Sequence, residues 1–318
     1  MNCRFSRLYV CVILLGCVYG LAPIASTSTE MLSKRIYGGS VAEATSAPFE
    51  VSVTTWRGKS GSSCGGTLIS PQHVITAGHC ILPYKGSYTV DVGYNSQNKS
   101  QQTVVKATKV TVHPSYIKDP DDGRYDLAIL EIPEITFGKH AQRMPIYGSS
   151  IKAGQELLAV GWGKTGDAAD DRRLLRATQI IVGDYKTCNA FKSDFVESND
   201  TRICALGKLT PSRGICGGDS GSSVSISDNG RQWFVGVGSR INFFNGAGCG
   251  DKDSASFFVH VGYFLDYIAK VTGLTRDYLL DKEPEPTASA YSTLPPEPLS
   301  TQVVTVTITE YLIRTALP

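Results

Sequence analysis

The sequence predicts an all-β protein closed by a single helix, and two observations carry that expectation. Short β-type runs recur through most of the chain, each bounded by Gly, Pro, Asn or Asp, and a helical period appears only near the end of that region. In order, the runs cover residues 49–55, 66–69, 88–92, 104–112, 127–132, 156–160 and 233–237. Many short strands separated by turn signals suit a barrel or a sandwich. The helix follows from Val261, Phe264, Leu265, Ile268 and Val271, which keep a three-four spacing, with Gly273 placed to stop it. No internal repeat is visible.

The chain has 318 residues, 42% of them hydrophobic, with 31 Lys and Arg against 29 Asp and Glu. That is enough apolar material for a sizeable core, and it excludes fibrous and wholly disordered classes. Residues 36–281 carry 25 basic and 24 acidic side chains, so the folded part offers no nucleic-acid footprint.

Both ends differ from the middle. Arg4 and Arg7 precede an apolar run from Leu8 to Ala22 that small residues follow, the pattern of a secretory signal. A membrane anchor is the competing reading, but a spanning helix needs about 20 apolar residues. The expectation is therefore a signal over residues 1–22 and an extracellular, oxidising destination with no membrane attachment afterwards. The stretch from Asp281 is rich in Pro, Glu, Ser and Thr, which builds no core. A flexible tail is expected over residues 274–318, with a short strand over 303–308 as the alternative.

Nine cysteines are present, and Cys3, Cys11 and Cys17 fall in the signal. The remaining six, Cys64, Cys80, Cys188, Cys204, Cys216 and Cys249, permit three bridges in any of fifteen pairings. Metal binding is the rival use. The five histidines are scattered and there is no Cys-x-x-Cys pair, so no metal or other cofactor is expected.

Three segments carry candidate chemistry. Thr76-Ala77-Gly78-His79-Cys80 sets a histidine beside a cysteine, Tyr125-Asp126-Leu127-Ala128 puts a carboxylate at the head of an apolar run, and Cys216-Gly217-Gly218-Asp219-Ser220-Gly221 flanks a serine with glycines. Singly, each has a bland explanation. Together, in the order His, Asp, Ser, they resemble the chymotrypsin-like serine proteases over residues 36–273. The resemblance implies two antiparallel six-stranded β-barrels with the active site in the cleft between them, plus the C-terminal helix. It also implies that His79 takes the proton of Ser220 as the hydroxyl attacks a peptide carbonyl, and that Asp126 orients the imidazole. The backbone N–H groups of Gly218 and Ser220 would form the oxyanion hole.

The same resemblance supplies what spacing leaves open. It implies bridges Cys64–Cys80, Cys188–Cys204 and Cys216–Cys249, and it gives Ser239 a bond to the aspartate. Lys34-Arg35 before Ile36-Tyr37-Gly38-Gly39 is similar to the family's activation site. Residues 23–35 would be a propeptide cut after Arg35 by an activating protease, and the freed Ile36 amine would pair with Asp219.

Specificity follows from Gly214, Ile215, Ser239, Ile241 and Ser256, which match the family's pocket positions. An acid at the pocket floor, needed to recruit Lys or Arg, is replaced by Gly214. Ile241 on the wall would favour small or medium aliphatic residues, with large apolar residues as the alternative. Gly78 stands where many relatives have Ala, and Ser222 replaces a glycine. The segment 93–103 lacks the carboxylates of a calcium loop. Asn98 and Asn199 head glycosylation motifs on expected surface loops.

The function read from the sequence is thus a secreted, monomeric serine endopeptidase made as a zymogen and acting on proteins or peptides. The alternatives are a catalytically silent protein of the same fold, used for binding, and a protein whose tail docks it to a wall or partner.

Overall fold

Two antiparallel sheets build the fold, and their registers explain how each curls. The computed structural model describes residues 36, 38–42, 45–82, 86–93, 102–165, 174–207 and 213–283. The expected signal and propeptide, Arg35, the motif at Asn98 and the sequence beyond 283 lie outside the described residues.

In chain order the first strands are β1 (Ser40–Val41), β2 (Glu50–Arg57), β3 (Ser60–Ser70), β4 (His73–Thr76), β5 (Ser87–Val92), β6 (Thr103–Lys106), β7 (Lys109–Val112) and β8 (Ala128–Glu131). They are followed by β9 (Glu156–Gly161), β10 (Arg176–Val182), β11 (Arg202–Leu206), β12 (Ser223–Asp228), β13 (Arg231–Phe243) and β14 (Ser254–His260).

The first sheet runs β6-β5-β2-β3-β4-β8-β7. Its two edges are consecutive halves of one segment. The Ala107 N–H donates to Tyr88 O at 2.9 Å and the Thr108 N–H to Glu131 O at 2.8 Å, so the chain passes from β5 to β8 between these residues. A sheet whose edges are one strand has no open edge there, which removes a site for unwanted pairing. The second sheet runs β10-β11-β14-β13-β12-β9 and closes through pairing of β9 with β10; β1 adds to β10 from outside.

Each barrel has its own core. Val51, Val53, Leu68, Val74, Val90 and Leu130 fill the first, and Leu157, Ile180, Ile203, Val224 and Phe258 the second. A further cluster draws on both sheets, including Ile69 and Ile75 from the first, Phe49 just before β2, and Val160, Phe234, Val237 and Val259 from the second. Their burial joins the barrels at roughly 25 cal/mol per Å² of apolar surface.

The expected strands are present, with instructive differences. Run 233–237 lies in the first half of the much longer β13, and run 104–112 breaks into β6 and β7 at the partner exchange. β1, β4, β10, β11, β12 and β14 were not among the runs read from the sequence. β11 and β14 are buried at every position, so they show no alternation that could mark one face.

Helices are few among the described residues: α1 (Pro114–Lys118), α2 (Tyr185–Phe191), α3 (Leu265–Thr272) and α4 (Arg276–Leu279). α3 starts four residues after Val261 and ends where expected, with Gly273 at φ 73° donating its N–H to Ala269 O at 2.9 Å.

The fold does not stop at Gly273, which corrects the expected tail boundary. Thr275 caps α4, accepting from the Tyr278 N–H at 2.9 Å, and Tyr278 and Leu279 are both 1% exposed. The Ile146 N–H donates to Leu279 O at 2.8 Å, while Arg143 lies 4.2 Å from the Tyr278 ring and pairs with Asp281 at 2.7 Å. Two large side chains seated in the shared core outweigh the polar composition that begins immediately after them.

Candidate active site

The three segments with candidate chemistry meet where the barrels face each other. His79 sits on a 3-10 turn, Gly78–Cys80, directly after β4. Its Nδ1 is 2.7 Å from Asp126 Oδ2, and its backbone N–H donates to Asp126 Oδ1 at 2.7 Å. The Ser239 hydroxyl donates to Asp126 Oδ2 at 2.6 Å. Ser239 reaches in because the register of β13 against β14 slips between Gly238 and Arg240, leaving Ser239 out of the ladder. The carboxylate is 4% exposed and the imidazole 34%, so the aspartate is enclosed while the histidine keeps an open side.

Ser220 is held by main-chain bonds on both sides. Its carbonyl accepts from the Gly65 N–H at 2.8 Å, and the Gly221 N–H donates to Gly238 O at 2.8 Å. Gly65 follows Cys64, which is bridged to Cys80 beside His79; Gly238 precedes Ser239, which bonds Asp126. Covalent and hydrogen bonds thus form a closed circuit from Ser220 through Gly65, the disulfide, His79, Asp126, Ser239 and Gly238 back to Gly221. Among the described residues, Ser220 Oγ and His79 Nε2 are not hydrogen-bonded to each other.

The loop before Ser220 is shaped by Asp219 and the glycines around it. Gly218 has φ +108°, and a Cβ there would lie 3.0 Å from Gly163 Cα, so only glycine suits it. Asp219 is fully buried; it accepts from the Gly163 N–H at 2.7 Å and the Cys216 N–H at 2.8 Å. Neither the Gly218 nor the Ser220 N–H donates to a backbone carbonyl among the described residues, leaving two adjacent donors open. Ile36 is also fully buried.

Comparison with known proteins bears directly on this arrangement. The Trypsin family model matches residues 36–268. The chain belongs to the chymotrypsin-like serine proteases. It is 32% identical over 247 residues to Trypsin 5G1 of Aedes aegypti, covering 76% of this chain and 86% of that protein. It is 29% identical over 243 residues to chymotrypsin-like elastase family member 1 of Homo sapiens, covering 74% and 92% respectively. The Trypsin of Simulium vittatum is 28% identical over 206 residues, covering 63% and 82%. The protein is therefore a serine endopeptidase.

The three bridges of this protease are those the resemblance implied: Cys64–Cys80, Cys188–Cys204 and Cys216–Cys249. Cys64, His79 and Cys80 converge within 4.8 Å, but both sulfurs are in the disulfide and offer no thiolate to a metal.

At the pocket positions, Gly214 lies against Gly250 and Ser256: a Cβ on it would meet Gly250 Cα at 2.9 Å and Ser256 Oγ at 3.7 Å. Ile241 and Ser256 are direct partners across β13 and β14, so their side chains share a face. Ile215 is buried within the core cluster of the second barrel.

Tyr116 and His113, which pack beside the site, were not singled out from the sequence. A Cβ on Gly78 would lie 2.6 Å from the Tyr116 ring, so the glycine in place of the usual Ala makes room for that tyrosine. Burial, and then the nearby Asp126, pushes the Tyr116 phenol well above its ordinary range. His113 stacks on Tyr125 at 5.0 Å and meets Tyr267 of α3 at 4.4 Å, tying the residue before Asp126 to the C-terminal helix. Burial holds its imidazole down at about 4, so it is neutral and apolar in effect at neutral pH.

Asn199 is not the exposed loop residue expected of a glycosylation acceptor. It is half-buried, its Oδ1 accepting from the Ile151 N–H at 2.6 Å and its Nδ2 donating to Ile151 O at 2.8 Å.

Proposed function

We propose that this endopeptidase is secreted as a zymogen and, once cut after Arg35, cleaves proteins or peptides after small or medium aliphatic residues. His79, Asp126 and Ser220 are its triad, and the observation that carries this reading is the circuit joining them. Ser220 Oγ forms a bond to the substrate carbonyl carbon as its proton passes to His79 Nε2. The leaving amine takes that proton as the peptide bond breaks, and water then releases the acyl group by the same path. The Gly218 and Ser220 N–H groups stabilise the oxyanion; one such donor is worth about 10² to 10³ in rate. The catalytic hydrogen bond between Ser220 and His79 tightens as substrate fills the cleft.

Activation acts through Asp219. The freed Ile36 amine turns inward to this buried carboxylate and sets the loop that carries both oxyanion donors. Residues 1–22 are the signal and 23–35 the propeptide; no helix among the described residues is long and apolar enough to cross a membrane. The pocket reading rests on Gly214, which admits no acid, and on Ile241 opposite Ser256.

Fluorophosphonate labelling tests the reading. Activated wild type should label and Ser220→Ala should not, while Arg35→Gln should stay nearly silent. Equal labelling of Ser220→Ala would remove the triad, and full activity of uncleaved Arg35→Gln would remove the zymogen. Profiling of the residue before the scissile bond should peak at Ala, Val or Leu; strong cleavage after Phe or Tyr would favour the large-apolar alternative.

A further inference from the structure

A buried carboxyl group that the proposed chemistry does not use lies behind the nucleophile loop. Glu50 heads β2 and is 3% exposed. Its Oε2 accepts from the Ser223 N–H at 3.2 Å and from the Ser223 hydroxyl at 2.7 Å. Ser223 opens β12, three residues beyond Ser220. Oε1 points to the open face of Gly65, where an added Cβ would lie 2.8 Å from it and 2.0 Å from Ser222 Oγ. The Gly65 N–H is the donor that holds the Ser220 carbonyl.

Ser222 connects this carboxyl to Asp219. A Cβ on Gly161 would fall 3.0 Å from Ser222 Oγ and 2.2 Å from Asp219 Oδ1. Glu50 Oε1 and Ser222 Oγ are both buried and make no hydrogen bond of good geometry, although the Ser222 hydroxyl lies near enough to act on the carboxyl. Such atoms are costly to leave unpaired, so a feature of this kind calls for a reason. The elements packed on Glu50 bring mostly uncharged groups: Gly65 and Thr67 from β3, the latter paired with Glu50 across the strands, and Ser222 and Ser223 where β12 begins. Among the described residues, the charged group that acts on it is Asp219.

We propose that Glu50 is a positioning residue that ties the Ser220 loop to the first barrel and sets an alkaline limit on activity by losing its proton beside Asp219. The proposal rests on Ser220 being the nucleophile. While neutral, the carboxyl can accept from Ser223 and offer its own proton toward Ser222 Oγ. On ionising it gives that proton to solvent and places a second negative charge in the enclosure that holds Asp219. Repulsion then acts on Asp219, and through it on the Gly218 and Ser220 N–H groups. Burial pushes the Glu50 carboxyl up to about 8, with the serine donors opposing and Asp219 adding to the rise.

Loss of the Ile36 ammonium would also give an alkaline limb, so the experiment must separate the two. The kcat and KM of activated wild type and Glu50→Gln are measured against pH with one aliphatic peptide substrate. Infrared difference spectra are recorded over the same range on both proteins in the Ser220→Ala background. Wild type should lose kcat/KM from about pH 8 together with a protonated-carboxyl stretch. Glu50→Gln should lack that stretch and keep activity roughly one pH unit or more higher. Asp91, pushed up to about 6 by burial, titrates below this window.

No protonated-carboxyl band near pH 8 in wild type overturns the proposal even if Glu50→Gln folds poorly. A band that titrates while the two activity limbs coincide overturns the positioning role. If neither protein labels with fluorophosphonate at neutral pH, the parent reading has failed, and the infrared titration still decides the state of Glu50.

Discussion

Asp126 and Glu50 are both carboxyl groups enclosed where the two barrels meet, at 3% exposure each, yet they are furnished differently. Asp126 receives three donors spread over both oxygens: the His79 N–H and ring nitrogen, and the Ser239 hydroxyl. Glu50 receives two of good geometry, both on Oε2 and both from Ser223, with only the poorly aligned Ser222 hydroxyl near it besides. A buried charge is tolerated in proportion to the hydrogen bonds and opposite charges that meet it. The first enclosure is built to hold a carboxylate facing a histidine; the second is built to hold a neutral acid. The lesson is that burial alone does not assign a role, because donors and their distribution do.

The largest test of this contrast is Asp126→Asn. The amide cannot accept from the His79 ring and the Ser239 hydroxyl as the carboxylate does, and it favours the wrong imidazole tautomer. Turnover should fall by about 10⁴ at neutral pH with KM little changed. Steady-state kinetics checks this, and a loss below tenfold would remove Asp126 from the proposed triad.

Glu50→Gln should behave in the opposite sense, affecting stability as much as chemistry. The Glu50 carboxyl titrates at about 8 in the folded protein against an ordinary value of 4.5, so the folded state holds the extra proton between those limits. Wild-type stability therefore falls as pH rises from 4.5 through 8, and the loss is complete above. The amide has no proton to lose. Relative to wild type, Glu50→Gln should gain stability across that window, by roughly a few kcal/mol at most. Denaturant midpoints in the Ser220→Ala background, which prevents self-digestion, would show it; a difference independent of pH would contradict it.

Much of this molecule is legible in the sequence, but Glu50 is not. The all-β architecture, the helix ending at Gly273 and the motifs around His79, Asp126 and Ser220 all have local signals. In β2, Val51 and Val53 point into the first barrel, which makes Glu50 and Ser52 look like the solvent face of an alternating strand. The second barrel covers that face, and strand periodicity carries no record of what will pack on it. The same limit applies to α4, whose Tyr278 and Leu279 are bonded to Arg143 and Ile146, more than a hundred positions earlier. Ser239 was reachable through family resemblance alone, since the register slip that aims it at Asp126 depends on pairing with β14.

Removing single donors sharpens the contrast further. Ser239→Ala leaves Asp126 with its two bonds from His79. A hydrogen bond to a charged group is worth about 1.5–3 kcal/mol, so kcat/KM should drop by at least about tenfold.

Ser223→Ala should give a smaller loss with a different pH signature. It deletes the hydroxyl donor to Glu50 Oε2 and leaves the Ser223 N–H in place. At pH 5 the carboxyl is neutral and the lost bond is worth about 1 kcal/mol; above pH 8 the acceptor is charged and the loss should grow by about as much again. Its absence also favours the protonated form, so the carboxyl should titrate higher than in wild type. Urea midpoints at the two pH values, again in the Ser220→Ala background, read the difference directly. An equal cost at both would mean that Glu50 carries the same charge throughout, and the two buried carboxyl groups would then differ in position but not in kind.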